Sequence, residues 1–403
     1  MVTERSNILL AFSVAFNLFG YFPLSFLSVI GFETPGAIFV ATNTILWIIC
    51  PLFSIRRKNP PNKTLFLVLF IYVYLLSKVV VDMGNNEFNF EIENKYYLQY
   101  VGVMVLLPCA ISFYCFGRQD LKYLYKFSFG FLLSGLILTI PMGFFNEMGL
   151  RGEVNETLDP ISMGNFLSCL IILLLTKSGF VRIILLCASS FFILLTASRG
   201  PIVGLVCCLI VYLQNESKKS KNLFSYSLLG IFIFFFIYVY NYESLSFLTN
   251  RFNIYESDGF YYHEDRRILL YREYFHGIIH GSLLGNHSKI AELGYPHNIL
   301  LEIGYACGPL ILILFLGSCI YLLHRILLVI KFREIKIFAY IFILWSINSL
   351  FSGSFLTSHQ LLLTLTIFVS IAGEGTHRPW ENLSTSSNEK NSVFNSFEIY
   401  NKN

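Results

Sequence analysis

Residues 180–215 read FVRIILLCASSFFILLTASRGPIVGLVCCLIVYLQN. Two apolar runs, 180–196 and 200–214, each close to the length of a membrane-crossing helix, meet with only a tight turn between them. Neither run carries a polar face wide enough to lie against water. The stretch therefore reads as two spanning helices with an arginine, Arg199, held in the turn. The rest of the chain follows the same rule. Of 403 residues, 55% are hydrophobic and only 13% charged, and the mean hydropathy is +0.61. A water-soluble domain of that balance would expose one continuous apolar patch, so the composition excludes it. The abundance of Phe and Tyr, 41 and 24 residues, suits packing and interfacial anchoring.

Roughly 20 apolar residues per span divide the chain into about twelve segments: 8–30, 36–54, 64–81, 97–116, 123–143, 160–176, 180–196, 200–214, 223–241, 298–323, 336–351 and 355–373. The expected fold class is an all-α polytopic membrane protein. Lys and Arg set its orientation. With the N-terminus inside, RRKNPPNK, GRQDLKYLYK, KSGFVR, ESKKSKN and HRILLVIKFREIK fall in cytoplasmic loops. That side, with the two tails, then holds 20 of the 29 Lys and Arg. Both termini are expected in the cytoplasm of a bacterium and the spans in its inner membrane. The domain plan is a helical membrane domain over 1–373, a large outer loop at 242–297 inserted within it, and a polar tail at 374–403 expected to be disordered. The first run is long enough to stay as a helix, so no cleavable signal is expected. The nine cysteines lie in or beside apolar runs and read as small buried hydrophobes.

Ionisable groups are scarce inside the spans. Lys78 lies near enough to the outer interface to snorkel, and Glu302 lies near the outer end of its helix. The outer loops are richer: 242–297 alone holds five of the eight histidines. In the SRGP turn, Ser198 suits an N-cap and Pro201 the first helical turn. The free N–H groups of the following helix then point outward beside Arg199, an arrangement that favours phosphate. The alternative is an interfacial arginine reaching for lipid headgroups. An outward arginine in a minimal loop, however, has no topological purpose.

A second feature is GYPHNILLEIGYACG at 294–308. His297 and Asn298 open a helix, and Glu302 lies one turn beyond Asn298. A histidine here suits a general base near neutral pH, with Glu302 to orient it; a plain His-Asn cap is the competing reading. A third is HEDRRILLYREYFHGIIHG at 263–281. Its spacing of Ile268, Tyr271, Phe275 and Ile278/Ile279 predicts an amphipathic helix lying on the outer membrane surface. Arg266, Arg267 and Arg272 would offer guanidinium groups to an anionic ligand or to headgroups. Arg266 and Gly277 share one stripe, three turns apart. His276 and His280 have an i, i+4 spacing, but no third ligand completes a metal site. Arg151, in the acidic loop before the sixth span, is a further outward arginine, alternatively paired with Glu153 or Glu156.

Taken in order, SRGP, the large outer loop and the PHNILLE start of the next helix resemble the O-antigen polymerase (Wzy) and O-antigen ligase superfamily. The resemblance covers the architecture of residues 1–373, and its specific part is confined to Arg199, the 251–285 loop and His297-Asn298. It implies a metal-independent glycosyltransferase, without cofactor, that uses undecaprenyl-diphosphate-linked oligosaccharides at the periplasmic face. It further implies that Arg199 and Arg266 grip the diphosphate and that His297 activates the acceptor hydroxyl. Arg151, Arg267, Arg272, Asn298 and Glu302 would be substrate-binding. The polymerase is expected over the ligase, which shares the chemistry but transfers polymer to lipid A–core. A transporter would need charged groups at mid-membrane and repeated halves, and the sequence has neither. The expected partners are the lipid-linked sugars and membrane lipids, with a chain-length regulator left open and no nucleic acid.

Overall fold

A computed structural model describes residues 2–53, 102–145, 159–175, 179–196, 198–215, 258–286, 298–329, 333–351 and 358–375, with scattered positions in 66–81. The run at 223–241, the tail beyond 375 and much of the 242–297 loop lie outside the described residues. Among the described residues every regular element is a helix. In chain order the α-helices are α1 (Val2–Phe19), α2 (Tyr21–Ser25), α3 (Pro35–Phe53), α4 (Leu107–Cys115), α5 (Leu121–Phe145), α6 (Pro160–Leu174), α7 (Phe180–Leu195), α8 (Arg199–Asn215), α9 (Asp258–His280), α10 (Ile299–Cys307), α11 (Pro309–Val329), α12 (Arg333–Phe351) and α13 (His359–Gly375).

The bundle places polarity where a soluble protein would not. Ser13, Asn17, Asn43, Ser112, Ser168 and Ser189 are buried, while Ile45, Ile48 and Leu52 of α3 and Ile313 and Ile320 of α11 are exposed. Several buried hydroxyls bond back to the carbonyl one turn earlier, as Ser168 does to Gly164 (2.8 Å) and Ser189 to Leu185 (2.7 Å), while Ser112 has no such partner among the described residues. This suits an apolar surround, where helices gain little from hiding leucine but must satisfy every polar group. By length and composition, Pro35–Phe53 and Arg118–Ile140 are each able to cross a membrane. The other apolar helices, such as Pro160–Leu174 and Gly200–Asn215, are shorter.

Two expected single spans are broken. The first bends by 52° between Ile8–Phe19 and Tyr21–Ser28. Pro23 has no N–H to give the carbonyl of Phe19, so the ladder fails there. The bend seats Phe22 against α5, where a Cβ at Gly135 would come within 2.2 Å of its ring. The tenth, expected as one helix over 298–323, ends at Cys307. Gly308 adopts φ 89° and Pro309 starts α11. A Cβ at Gly308 would meet the Leu283 carbonyl oxygen at 2.2 Å, so glycine is required on both counts.

That break leaves the Ala306 carbonyl to be satisfied, and Lys78 binds it together with the facing loop at 284–286. Its Nζ donates to the carbonyls of Ala306 (2.5 Å), Asn286 (3.4 Å) and Leu284, while the Tyr74 hydroxyl also donates to Leu284 (2.9 Å). Lys78 thus binds the negative end of a half-length helix in addition to any reach toward the interface. The loop is closed by Asn286, whose N–H donates to the Tyr305 carbonyl (3.0 Å) and whose Nδ2 donates to the Gly277 carbonyl (3.0 Å).

Helix α9 covers the predicted 263–281 helix as far as His280. Within the chain only part of the predicted stripe is covered. Tyr274 and Ile278 are buried, whereas Phe275 and Ile279 are exposed. Two apolar stripes lie side by side on α9, and α10 covers only one of them. Tyr274 and Tyr305 set their rings 4.8 Å apart. A Cβ at Gly277 would come within 2.4 Å of the Tyr305 ring, which explains the glycine three turns after Arg266.

Candidate functional site

The starts of α6, α8, α10 and α13 gather with the last turns of α12 at one end of the bundle. Asp159 caps α6: its Oδ1 accepts from the N–H groups of Ile161 (2.9 Å) and Ser162 (3.0 Å), and its Oδ2 accepts from the Ser162 hydroxyl (2.6 Å). Pro160 follows at the first helical position, where its missing N–H costs nothing. The SRGP turn docks on this helix. A Cβ at Gly164 would lie 2.9 Å from Pro201 Cγ and 3.3 Å from Thr196 Oγ1, so only glycine lets α8 approach so closely. Ser198 is buried in the turn, and α8 begins at Arg199, as the sequence predicts.

Helix α8 then runs along α12, antiparallel to it. A Cβ at Gly204 would lie 3.0 Å from Asn348 Oδ1 and 2.9 Å from Leu344 Cδ1. Asn298 reaches the same end from the other side. Its Oδ1 accepts from the N–H groups of Leu300 (3.0 Å) and Leu301 (3.2 Å), and its Nδ2 donates to the Leu350 carbonyl (3.0 Å). One side chain caps α10 and ties its start to the end of α12. With both groups engaged on backbone, Asn298 fixes the start of α10 against the end of α12.

His297 and Arg151 lie outside the described residues. At Arg199, Arg266 and Arg267 the backbone position is described: the first on the opening turn of α8, the other two on α9. Arg266 lies three turns before Gly277 on the same helical stripe. Arg272 is exposed and falls on the side of α9 opposite Tyr274, so the structure separates it from this end of α10. Glu302 is buried, 1% exposed, in the first turn of α10. It acts on Tyr274 of α9: burial, then the charge of Glu302, then Tyr305 push the Tyr274 phenol well above its ordinary value. The rings of His276 and His280 are 4.4 Å apart. Among the described residues, no three His, Cys, Asp or Glu side chains gather around a common point.

The same end holds a feature that the sequence reading did not find, a cavity of about 540 Å³. Tyr21 of α2 and Gly36 and Phe39 of α3 form one wall. Asp159, Ser162 and Asn165 line it from α6, Trp345 and Asn348 from α12, and His359 and Gln360 from α13. Asn348 Nδ2 donates to Asn165 Oδ1 across the floor. The signal in the sequence was one asparagine in each of two apolar runs, with a lone histidine opening the last. Each is unremarkable alone, and only packing brings them to one volume.

Comparison with protein-family models, with curated proteins and with solved structures gives no match for this chain.

Proposed function

We propose that this chain is a surface-polysaccharide polymerase that joins undecaprenyl-diphosphate-linked oligosaccharides at the periplasmic face of the inner membrane. The reading takes the full topology of about twelve spans, both termini in the cytoplasm and the 242–297 loop outside. What supports it is one shared end: α8 starts at Arg199 and α10 is capped at Asn298, and both starts are tied to the last turns of α12. An anion-favouring helix start thereby stands at the same end as the residue that follows His297.

The chemistry asked of these residues is modest. A sugar hydroxyl of the acceptor attacks the anomeric carbon of the donor, and the bond from that carbon to the diphosphate oxygen breaks. The electron pair leaves with the lipid diphosphate, and His297 takes the hydroxyl proton. Arg199 and Arg266, with the N–H groups of α8, hold the charge that develops on the departing phosphate. The acceptor hydroxyl has a very high pKa, so a base within hydrogen-bond reach lowers the barrier as its proton leaves. Because the substrates diffuse in the membrane, the arginines belong at headgroup depth.

The test is a lipopolysaccharide gel from a strain lacking the gene, complemented with the wild type, Arg199→Ala or His297→Ala at matched protein level. The expected result for the deletion and both variants is core carrying a single repeat and no ladder. Bare core with polymer held on the carrier lipid would make the protein a ligase. An unchanged ladder in the deletion strain would sink the O-antigen assignment.

A further inference from the structure

The cavity at this end of the bundle differs in character from the anion-favouring start of α8. Among the described residues, no lysine or arginine lines it. Its fixed charge is the carboxylate of Asp159, which would repel a diphosphate. The rest of its polarity is neutral: Ser162, Asn165 and Gln360, with His359 beside them. Those neutral side chains can donate and accept hydrogen bonds, a capacity that a polyhydroxylated ring uses and an acyl chain does not. Aromatic faces from Phe39, Phe166 and Trp345 suit the apolar C–H faces of a sugar. At about 540 Å³ the volume is that of a small-ligand site.

We propose that this cavity seats an uncharged sugar ring of the lipid-linked substrate, while the diphosphate stays outside it at the start of α8. The inference rests on the polymerase reading and adds a division of labour between two parts of the site. Sugar selection would then reside in the cavity-lining residues of α3, α6, α12 and α13.

Gly36 provides the test. It lines the cavity on α3, and a Cβ built there meets nothing within 4 Å. Gly36→Trp should fill the space without disturbing the helix. Gly317→Trp, whose Cβ also meets nothing within 4 Å, is the matched bulky control on exposed α11. Full-length protein in phospholipid nanodiscs would be titrated by saturation-transfer NMR with two probes. One is the oligosaccharide released by mild acid from the host's own surface polysaccharide, and the other is inorganic pyrophosphate.

The expected result is a loss of oligosaccharide affinity of at least about tenfold in Gly36→Trp, with Gly317→Trp unchanged and pyrophosphate binding intact in both. A folded Gly36→Trp that binds the oligosaccharide like the wild type overturns the cavity assignment and leaves the polymerase reading standing. Weakened pyrophosphate binding in Gly36→Trp makes the cavity the anion site and also overturns it. Wild type that binds neither probe removes the polymerase reading itself, and the proposal with it. Should Gly36→Trp melt early, Gln360→Leu replaces it, removing an amide at nearly constant volume. A severalfold loss is then expected, and wild-type affinity overturns the proposal.

Discussion

Arg199 concentrates the functional reading in one side chain, and its substitutions separate charge from geometry. Arg199→Ala should lower polymer formation by roughly 10²–10³, the usual effect of removing one donor from a developing anion. Arg199→Lys keeps the charge but loses the planar fork, so its activity should fall between. Equal activity of the two variants in a radiolabelled polymerisation assay would leave Arg199 no part in binding phosphate. Tyr274 carries a different kind of prediction. Its phenol is raised above the ordinary value of 10.0 by burial and by Glu302. A group raised on folding contributes stability below its unfolded pKa and loses it as pH rises through the folded one. Wild type should therefore lose melting temperature above about pH 10, and Tyr274→Phe should lose less over the same range.

At the scale of elements, the α10–α11 break is the most constrained place in the chain. Gly308 takes a backbone conformation that residues with a Cβ rarely adopt, Gly285 does likewise across from it (φ 86°), and Lys78 joins the Ala306 carbonyl at the break to the Leu284 carbonyl of the facing loop. Lys78→Met keeps the stem and removes the donor. It should cost roughly 2 kcal/mol, the order of a charged hydrogen bond lost from a partly buried site. A thermal melt in detergent reads that cost, and wild-type stability would mean that water satisfies those carbonyls. The consequence reaches the site, since α10 begins at Asn298 and its far end is what Lys78 fixes. Helix α9, which carries Arg266, is held by the same unit through Gly277 and Asn286.

At the scale of the whole molecule, the charge bias and the helix packing address different questions. The basic residues assign sides, and packing assigns neighbours. In the charge-based topology, the starts of α3, α6, α8, α10 and α13 all fall outside. Those same starts meet at one end of the bundle, around the cavity and the end of α12. Fusion of green fluorescent protein after Asn403 should fluoresce, while alkaline phosphatase at the same position should stay inactive. The reverse pattern would invert the topology and move Arg199 to the cytoplasmic side.

The sequence by itself determined the all-helical character, the places where most helices begin and the turn at Arg199. Hydropathy runs, caps and glycine or proline signals act over a few residues, so they are legible locally. Asp159-Pro160, Ser198-Arg199 and Asn298 all start helices for that reason. Sequence also placed an amphipathic helix over 263–281, within one residue of the observed C-terminal end, but not which residues pack on a neighbour, because two adjacent stripes are apolar and only the position of α10 selects one. Tertiary structure alone decided the seating of Phe22 on Gly135, the partners of Lys78 and the cavity walled by Asn165, Asn348 and His359. Those features depend on groups far apart in the chain meeting at van der Waals distance, and no local period in the sequence encodes such a meeting.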